Sequence, residues 1–254
     1  MTRIIAGTYG GRRLATPIGE DTRPTADRVR EAMFSGLDAA HVLYGRRFLD
    51  LYAGSGAVGL EAASRGADHV LLVESDPRAV RVIRDNVAAL DASDRATVLP
   101  SRVASALAAG PPAATPPVSA APLFRGTSSD GAPTNGPGAL ARKSAPTNGP
   151  GASTRKSARQ RIDATSRDRA PTGGPGASTS NSFDIVFADP PYQVSEVEIT
   201  AMLAALVDRG WLNPGALIIL ERSKRSPAPT WVQSVTAERS RRYGETMLWY
   251  GRRS

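Results

Sequence analysis

The sequence predicts an α/β fold in which a parallel sheet carries helices on both faces, and three observations predict it. Short, almost unbroken apolar runs at 48–52, 70–74, 96–99, 183–188 and 216–221 read as strands buried on both sides. Helical apolar spacing fills most of the chain between these runs, as it must when strands pair in parallel. Glycines or prolines follow two of the runs at once, at 54–59 and 190–191, and so place tight corners at strand ends.

The elements follow in order. Residues 3–16 suggest a small hairpin turning at Tyr9, Gly10 and Gly11. Thr25 is suited to cap a helix whose Val29, Met33, Phe34 and Leu37 share one face. Strand 48–52 leads through a glycine turn into a helix containing Ala62 and Ala63. Strand 70–74 is followed by Asp76-Pro77, which opens a helix burying Ala79, Val80, Ile83, Val87 and Leu90. Strand 96–99 precedes a short helix to Ala109, and strand 183–188 precedes a helix over 197–207. After strand 216–221, two strands at 232–239 and 245–250 with no helix between them read as a closing antiparallel hairpin.

Composition narrows the function classes. The 254 residues hold 32 Lys and Arg against 24 Asp and Glu, two His and no Cys, for a net charge of +8. Disulfides, thiol nucleophiles and thiolate metal sites are excluded, and His41 and His69 are too few for a histidine-rich metal centre. No metal is expected. No run is apolar enough for a signal peptide or a membrane span, so a cytoplasmic protein without membrane contact is expected.

Between Gly110 and Ser182 the composition changes abruptly. These 73 residues hold 11 of the 20 prolines, 10 of the 24 glycines and a single aromatic, Phe124. Residues 132–144 recur almost unchanged at 145–157 and in part at 170–179, a period of 13 with no apolar stripe. Such a stretch cannot assemble a core and is expected to be a disordered insertion before the fourth strand of the sheet, with no role in cofactor binding. The division expected is an extension at 1–47, a domain made of 48–109 and 183–254, and the insertion at 110–182.

Two motifs carry chemistry. In Asp50-Leu51-Tyr52-Ala53-Gly54-Ser55-Gly56-Ala57-Val58-Gly59, glycines after a strand let backbone N–H groups approach a ligand at a helix N-terminus. Glu74, twenty residues after Gly54, would suit a nicotinamide dinucleotide equally well. Asp50 inside the strand instead suits a ligand with a cationic amino-acid end. The second motif, Asp189-Pro190-Pro191-Tyr192, makes a rigid corner at a strand's carboxyl end. Its Asp189 carboxylate and Pro190 carbonyl are acceptors, and Tyr192 is a flat face, a set that fits an exocyclic amine on a planar base.

These two motifs, with Val73-Glu74-Ser75-Asp76 between them, resemble class I S-adenosylmethionine-dependent methyltransferases that act on a nucleobase amine. Arg3-Ile4-Ile5-Ala6-Gly7, the stretch from Arg23-Pro24-Thr25 through Arg28, Arg30 and Ala32, and Arg242-Tyr243-Gly244-Glu245-Thr246 are similar to the RsmD family. That family methylates N2 of one guanine in the 16S rRNA of the small ribosomal subunit. The resemblance implies a seven-stranded Rossmann-like class I methyltransferase sheet with a small N-terminal hairpin and helix. It implies S-adenosylmethionine as cofactor, rRNA within a nearly assembled subunit as partner, and action as a monomer. By the same resemblance Asp50, Ala53, Gly54, Ser55, Gly56 and Glu74 would line the cofactor. Ser101 stands where many such enzymes place an acidic or amide residue over the adenine. Asp189, Pro190 and Tyr192 would be catalytic, and Pro191, Tyr192, Arg23, Arg12 and Arg13 would face the RNA.

Competing readings share the fold. An Asp-Pro-Pro-Tyr corner also serves an adenine-N6 DNA methyltransferase, although no target-recognition domain separates the motifs. An NAD-dependent oxidoreductase would explain the glycine loop but not the proline corner, and a non-catalytic ribosome-assembly factor would not need all the acidic residues. Other residues have plainer readings: Glu61 as a first-turn residue favoured by the helix dipole, Arg23 and Arg30 on an exposed helix face or against cofactor or RNA, and Trp211, Trp231 and Trp249 in packing. The charge itself is unevenly placed. The insertion contributes +6 of the total, while 48–109 and 183–220 are acidic and both ends are basic. Of the 32 basic residues 29 are Arg.

Overall fold

Two short strands, β1 (Thr2–Arg3) and β2 (Arg13–Leu14), pair as an antiparallel hairpin, and helix α1 (Pro24–Ala39) follows it in the chain. The computed structural model describes residues 2–17, 24–113 and 181–254. Arg23 and most of the repeat insertion, residues 114–180, lie outside the described residues. Alternation of β3 (Arg47–Leu51), α2 (Ala57–Ser64), β4 (His69–Glu74), α3 (Pro77–Leu90), β5 (Ala96–Pro100) and α4 (Val103–Ala109) continues the chain. After the insertion come β6 (Phe183–Ala188), α5 (Glu196–Asp208), β7 (Leu212–Ser223), β8 (Val235–Tyr243) and β9 (Thr246–Arg253).

Strands β3 to β9 form one seven-stranded sheet in the order β5-β4-β3-β6-β7-β9-β8. The five strands from β5 to β7 are mutually parallel, and β9 and β8 close the sheet as an antiparallel hairpin. The expected class of sheet is therefore present. Its chain order reverses direction between β3 and β6, which opens a crevice at their carboxyl ends where ligands of such sheets bind.

Helices cover both faces. Phe48, Val70, Leu72, Ile185, Phe187 and Ile219 meet α1, α2 and α3 on one side, where Phe34 stacks on Phe48 at 6.2 Å. Leu49, Leu51, Leu71, Val186 and Ile218 meet α4 and α5 on the other, where Trp211 stacks on Phe183 at 5.9 Å. Each such side chain removed from water contributes roughly 1.5–3 kcal/mol. Alternate residues of a strand point to opposite faces, and so Asp50, between Leu49 and Leu51, joins the α2 side.

Several expectations need correction. The first helix starts at Pro24, so Thr25 lies inside its first turn and is not its cap; proline is favoured at a first helical position because its missing N–H has no partner there. The closing strands run later than expected, with the turn at Gly244 and Glu245. The edge strand β8 is exposed and rich in arginine, so it has no apolar alternation to read. Arg30 is not on an exposed face. It is buried, donates to the Arg3 carbonyl at 2.7 Å and pairs with Asp27.

Glu61 likewise is no exposed first-turn residue. It is fully buried in the second turn of α2 and accepts the backbone N–H groups of Ile5 at 2.7 Å and Ala6 at 3.1 Å, with Arg65 at 2.7 Å. Ser64, one turn-face away, accepts from the Tyr9 N–H and donates to the Ala6 carbonyl. These contacts clamp the N-terminal hairpin to α2. Asn86 of α3 adds a bridge, holding Ala15 through both its amide groups and donating also to the Ser55 carbonyl in the glycine loop.

Glu61→Ala should therefore cost about 3–5 kcal/mol, because it strands two N–H groups and takes the buried carboxylate from Arg65. Urea denaturation of the variant beside the unmodified protein measures that loss, and a change below about 1 kcal/mol would contradict the clamp.

Candidate active site

Strand β3 ends at Leu51, and Tyr52 turns the chain with φ of 62°, a left-handed conformation that costs a non-glycine residue on the order of 1–3 kcal/mol. The turn directs Ala53, Gly54 and Ser55 over the crevice. Gly56 follows at φ 78° as the N-cap of α2, and no side chain caps that helix. Its N-terminus is left for a ligand. Gly59 is needed for close approach: a Cβ there would lie 2.9 Å from Leu72 and Val70 and 3.1 Å from the Asp50 carboxylate.

Asp50 lies beneath this loop, 1% exposed, and its Oδ2 accepts the Gly59 N–H at 2.8 Å. Burial raises its pKa from an ordinary 3.8 to about 7, the Gly59 N–H opposes that rise, and the negative charges of Asp189 and Glu74 add to it. A cationic group arriving beside it would favour the ionised form.

Glu74 ends β4 and organises the same loop. Its Oε2 accepts the Gly54 N–H at 2.9 Å, and its Oε1 accepts Ser75 and Asp76 at 2.6 and 2.8 Å. A carboxylate offers about four lone-pair sites, so acceptor capacity remains. Ser101, after β5, donates its N–H to the Glu74 carbonyl while its hydroxyl donates to the Arg102 carbonyl. Asp50, Ala53, Gly54, Ser55, Gly56, Glu74 and Ser101 thus lie on adjoining strand ends and the turn between them.

The second half of the site follows β6. Asp189, Pro190 and Tyr192 line a small open cleft with Glu221, Arg222, Ser223 and Thr246. Tyr192 is 75% exposed, a large ring left open to solvent at the rim. Crowding by the surrounding chain raises the Asp189 pKa although the residue itself is exposed at the cleft, and the Arg222 guanidinium opposes the rise. Arg222 itself reaches back to the Val194 carbonyl and to Glu196, and so holds the chain after the proline corner. The Val194 N–H donates in turn to the Pro191 carbonyl.

Arg12 and Arg13 are not part of this cleft. The Arg12 guanidinium donates to the Ala89 carbonyl of α3, and Arg13 is exposed in β2. His69 opens β4 at the amino end of the strands, opposite the cleft, and is buried, with its pKa pulled down to about 4 by burial and by Arg47. Trp211 is core, Trp231 covers Gly251, and Trp249 packs beside the second cluster. Among the described residues no cluster of three His, Asp or Glu is placed to hold a metal, and no helix is long and apolar enough to cross a membrane. Sequence reading missed Tyr52, Asn86, Glu221 and Arg222. Glu221, like Glu74, is a carboxylate that follows an apolar strand run, and that is its signal in the sequence.

A mostly parallel seven-stranded sheet with a glycine loop after one central strand and a proline corner after its neighbour defines the class I methyltransferase fold. The same fold appears, at 12% identity, in magnesium protoporphyrin IX methyltransferase of Synechocystis with bound S-adenosylmethionine, which aligns over 93% of this chain and 87% of that one with a TM-score of 0.51. The model of the family described as conserved hypothetical protein 95 matches residues 2–116 and 154–252, and the chain belongs to that family, the RsmD family of the sequence motifs. The yhhF protein of Escherichia coli has a TM-score of 0.64 and 25% identity over 99% of this chain and 97% of its own. Ribosomal RNA small subunit methyltransferase D of Escherichia coli K12 is 44% identical over 106 residues, 42% of this chain and 52% of that protein. The chain spans about half the length of this relative and of YlbH from Bacillus subtilis. The Haemophilus influenzae protein of the same methyltransferase D name is 27% identical over 90% of this chain and 82% of its own length.

Asp50 makes stability depend on pH. Below about pH 4 it is protonated whether folded or unfolded; between there and about 7 only the unfolded chain ionises it freely, so stability falls as pH rises, and above that the loss is complete. Asp50→Asn keeps a carbonyl oxygen for Gly59. It should show a smaller drop in urea midpoint from pH 4.5 to 8 than the unmodified protein, and an equal drop would refute the buried carboxyl's role.

Proposed function

We propose that this protein transfers a methyl group from S-adenosylmethionine to the exocyclic N2 amine of a guanine in small-subunit 16S rRNA. One observation carries the reading: the Asp189-Pro190-Pro191-Tyr192 corner and the Asp50 to Gly59 glycine loop end neighbouring parallel strands at the crevice between β3 and β6. The methyltransferase D names of the Escherichia coli and Haemophilus influenzae relatives support rRNA of the small subunit as substrate.

The residues fit the cofactor. The uncapped α2 N-terminus, the left-handed Gly54 and Gly56, the buried Asp50 carboxyl and the spare acceptor capacity of Glu74 suit a ligand with an amino-acid end and a ribose. When bound, S-adenosylmethionine supplies an electrophilic methyl group on a sulfonium. Gly54 and Gly56 pass their backbone beside the methionine part, with Ala53 and Ser55 completing the wall. Asp50 would lie near the ammonium, directly or through water, Glu74 would accept ribose hydroxyls, and Ser101 would border the adenine.

Guanine N2 is a weak nucleophile because its lone pair is delocalised into the ring. Asp189 and the Pro190 carbonyl accept hydrogen bonds from its two N–H groups and so turn the lone pair toward the methyl group, with Tyr192 stacked on the base and Pro191 beside it; as the N–C bond forms the sulfur–methyl bond breaks, and the surplus N2 proton passes to Asp189 or water. Positioning and electrostatics supply the rate. The base must leave its stack to enter. Arg23, Arg12 and Arg13 are assigned to the RNA side on the family resemblance alone.

With labelled S-adenosylmethionine, assembled small subunits lacking the modification should take up label, and naked rRNA or duplex DNA should not; label confined to DNA would overturn the reading. Asp189→Ala should lower the rate about 100-fold or more while cofactor affinity stays within about twofold. Full activity in that variant would remove Asp189 from the chemistry. Arg222→Met keeps bulk but loses the donors to Val194 and Glu196, and should slow transfer about tenfold through a loosened corner. Unchanged kinetics in Arg222→Met would show that the corner holds itself.

A further inference from the structure

Glu221 has no task in the methyl transfer itself. Ala188 of β6 pairs with Leu220 of β7, which makes Asp189 and Glu221 the next positions on neighbouring parallel strands. Both line the cleft beside Tyr192. Among the described residues neither carboxyl receives a hydrogen bond, although Asp50, Glu61, Glu74 and Glu198 all do. Arg222, the nearest cation along the chain, is turned away to Val194 and Glu196.

Two unpartnered carboxyls facing one cleft are a cost to the folded chain. Burial and the charge of Asp189 push the Glu221 pKa up, so the pair resists holding two negative charges. A ligand that offers two adjacent N–H donors from one plane relieves that cost. Guanine presents N1–H beside its N2 amine. Adenine presents only its N6 amine, and its neighbouring N1 is an acceptor that a carboxylate repels.

We propose that Glu221 accepts the N1–H of the target guanine while Asp189 holds the N2 amine, so that the pair selects guanine over adenine. The inference rests on the guanine-N2 reading and makes Glu221 its specificity-determining residue. Sequence pattern alone left an adenine-N6 enzyme open on the Asp-Pro-Pro-Tyr corner; the second carboxyl distinguishes the two bases.

The acceptor must be ionised, which gives the proposal a pH signature. The groups around Glu221 are Asp189 from the end of β6, Arg222 on its own strand, Tyr250 on β9 and, in the same row across the hairpin, Arg241 on β8. Of these, Asp189 and Glu221 are raised toward the neutral range, and Tyr250 is raised further from it. Transfer should therefore quicken as pH rises through the titration of Glu221.

The test uses the full chain, labelled S-adenosylmethionine, and small subunits rebuilt with either guanine or adenine at the methylated position. Glu221→Gln should lower kcat/KM on the guanine subunits by about tenfold, because the amide oxygen still accepts N1–H but without the charge that strengthens the bond. Cofactor affinity should hold and Tm should not fall, the rise with pH should flatten, and the ratio of adenine to guanine methylation should increase, because the amide can donate to adenine N1. Glu221→Ala should lose guanine methylation as well without gaining adenine. Unchanged kinetics and base ratio in Glu221→Gln, with the unmodified protein active on guanine subunits, would overturn the inference and leave the guanine-N2 reading standing. Loss of cofactor affinity in that variant would also overturn it, by assigning Glu221 to the cofactor. No label in guanine subunits with the unmodified protein would instead bring down the guanine-N2 reading itself.

Discussion

The hydrogen bond from the Gly59 N–H to the buried Asp50 carboxyl joins the central strand β3 to the first turn of α2, and the glycine loop between them takes its shape from that join. It is made inside the sheet-helix interface, where an ionisable group is costly and where only glycine leaves room for the acceptor. The left-handed Tyr52 stores further strain in the same loop. Fold stability is reduced in order to place a carboxyl and a row of N–H groups at one point, and such a bargain is common at ligand sites.

The other half of the site is brought to the loop by sheet register. Asp50 pairs with Phe187, and so the proline corner two residues on stands beside the glycine loop although 139 positions separate Asp50 from Asp189 in the chain. The insertion between them joins the sheet before Phe183, at the amino end of β6, whereas Asp189 follows its carboxyl end. Parallel pairing thereby separates the insertion's attachment points from the cleft by the length of a strand. The N-terminal hairpin reaches the loop by a different route, through Glu61 and Ser64 on α2 and through Asn86, which touches both Ala15 and Ser55. A change in the hairpin is thus felt at the glycine loop through Asn86.

Charge has two meanings in this protein. The excess of arginine suggests a polyanion as partner, but many arginines are committed within the fold. Arg12 goes to the Ala89 carbonyl, Arg30 to Arg3, Arg47 to Ser182, Arg65 to Glu61, and Arg253 to the Leu212 carbonyl. A guanidinium can satisfy several carbonyls or a carboxylate in one plane, which explains its use at so many element ends. The acidic carboxyl edge has the opposite logic. Asp50, Glu74, Asp189 and Glu221 gather where the strands stop, and two of the four accept no hydrogen bond among the described residues. Ligands with N–H or cationic groups complete such an edge.

Much of the architecture was legible in local pattern. Continuous apolar runs marked the parallel strands, Asp76 and Pro77 marked the start of α3, and its buried face was read residue by residue, because strand burial and helix periodicity are properties of short stretches. The edge strand β8 escaped because one exposed side and a row of arginines leave no period to detect. The motifs located Asp50, Gly54, Gly56, Glu74 and Asp189 because backbone chemistry fixes which residue types a phosphate-like loop or a proline corner can use. What only the tertiary structure decided are the relations between segments: Glu61 as the anchor of the hairpin, Arg30 as a buried partner, Arg222 as the brace of the corner, and Glu221 beside Asp189. Each depends on the register of strands or the docking of a helix, and residues distant in the chain meet only when those long-range pairings form.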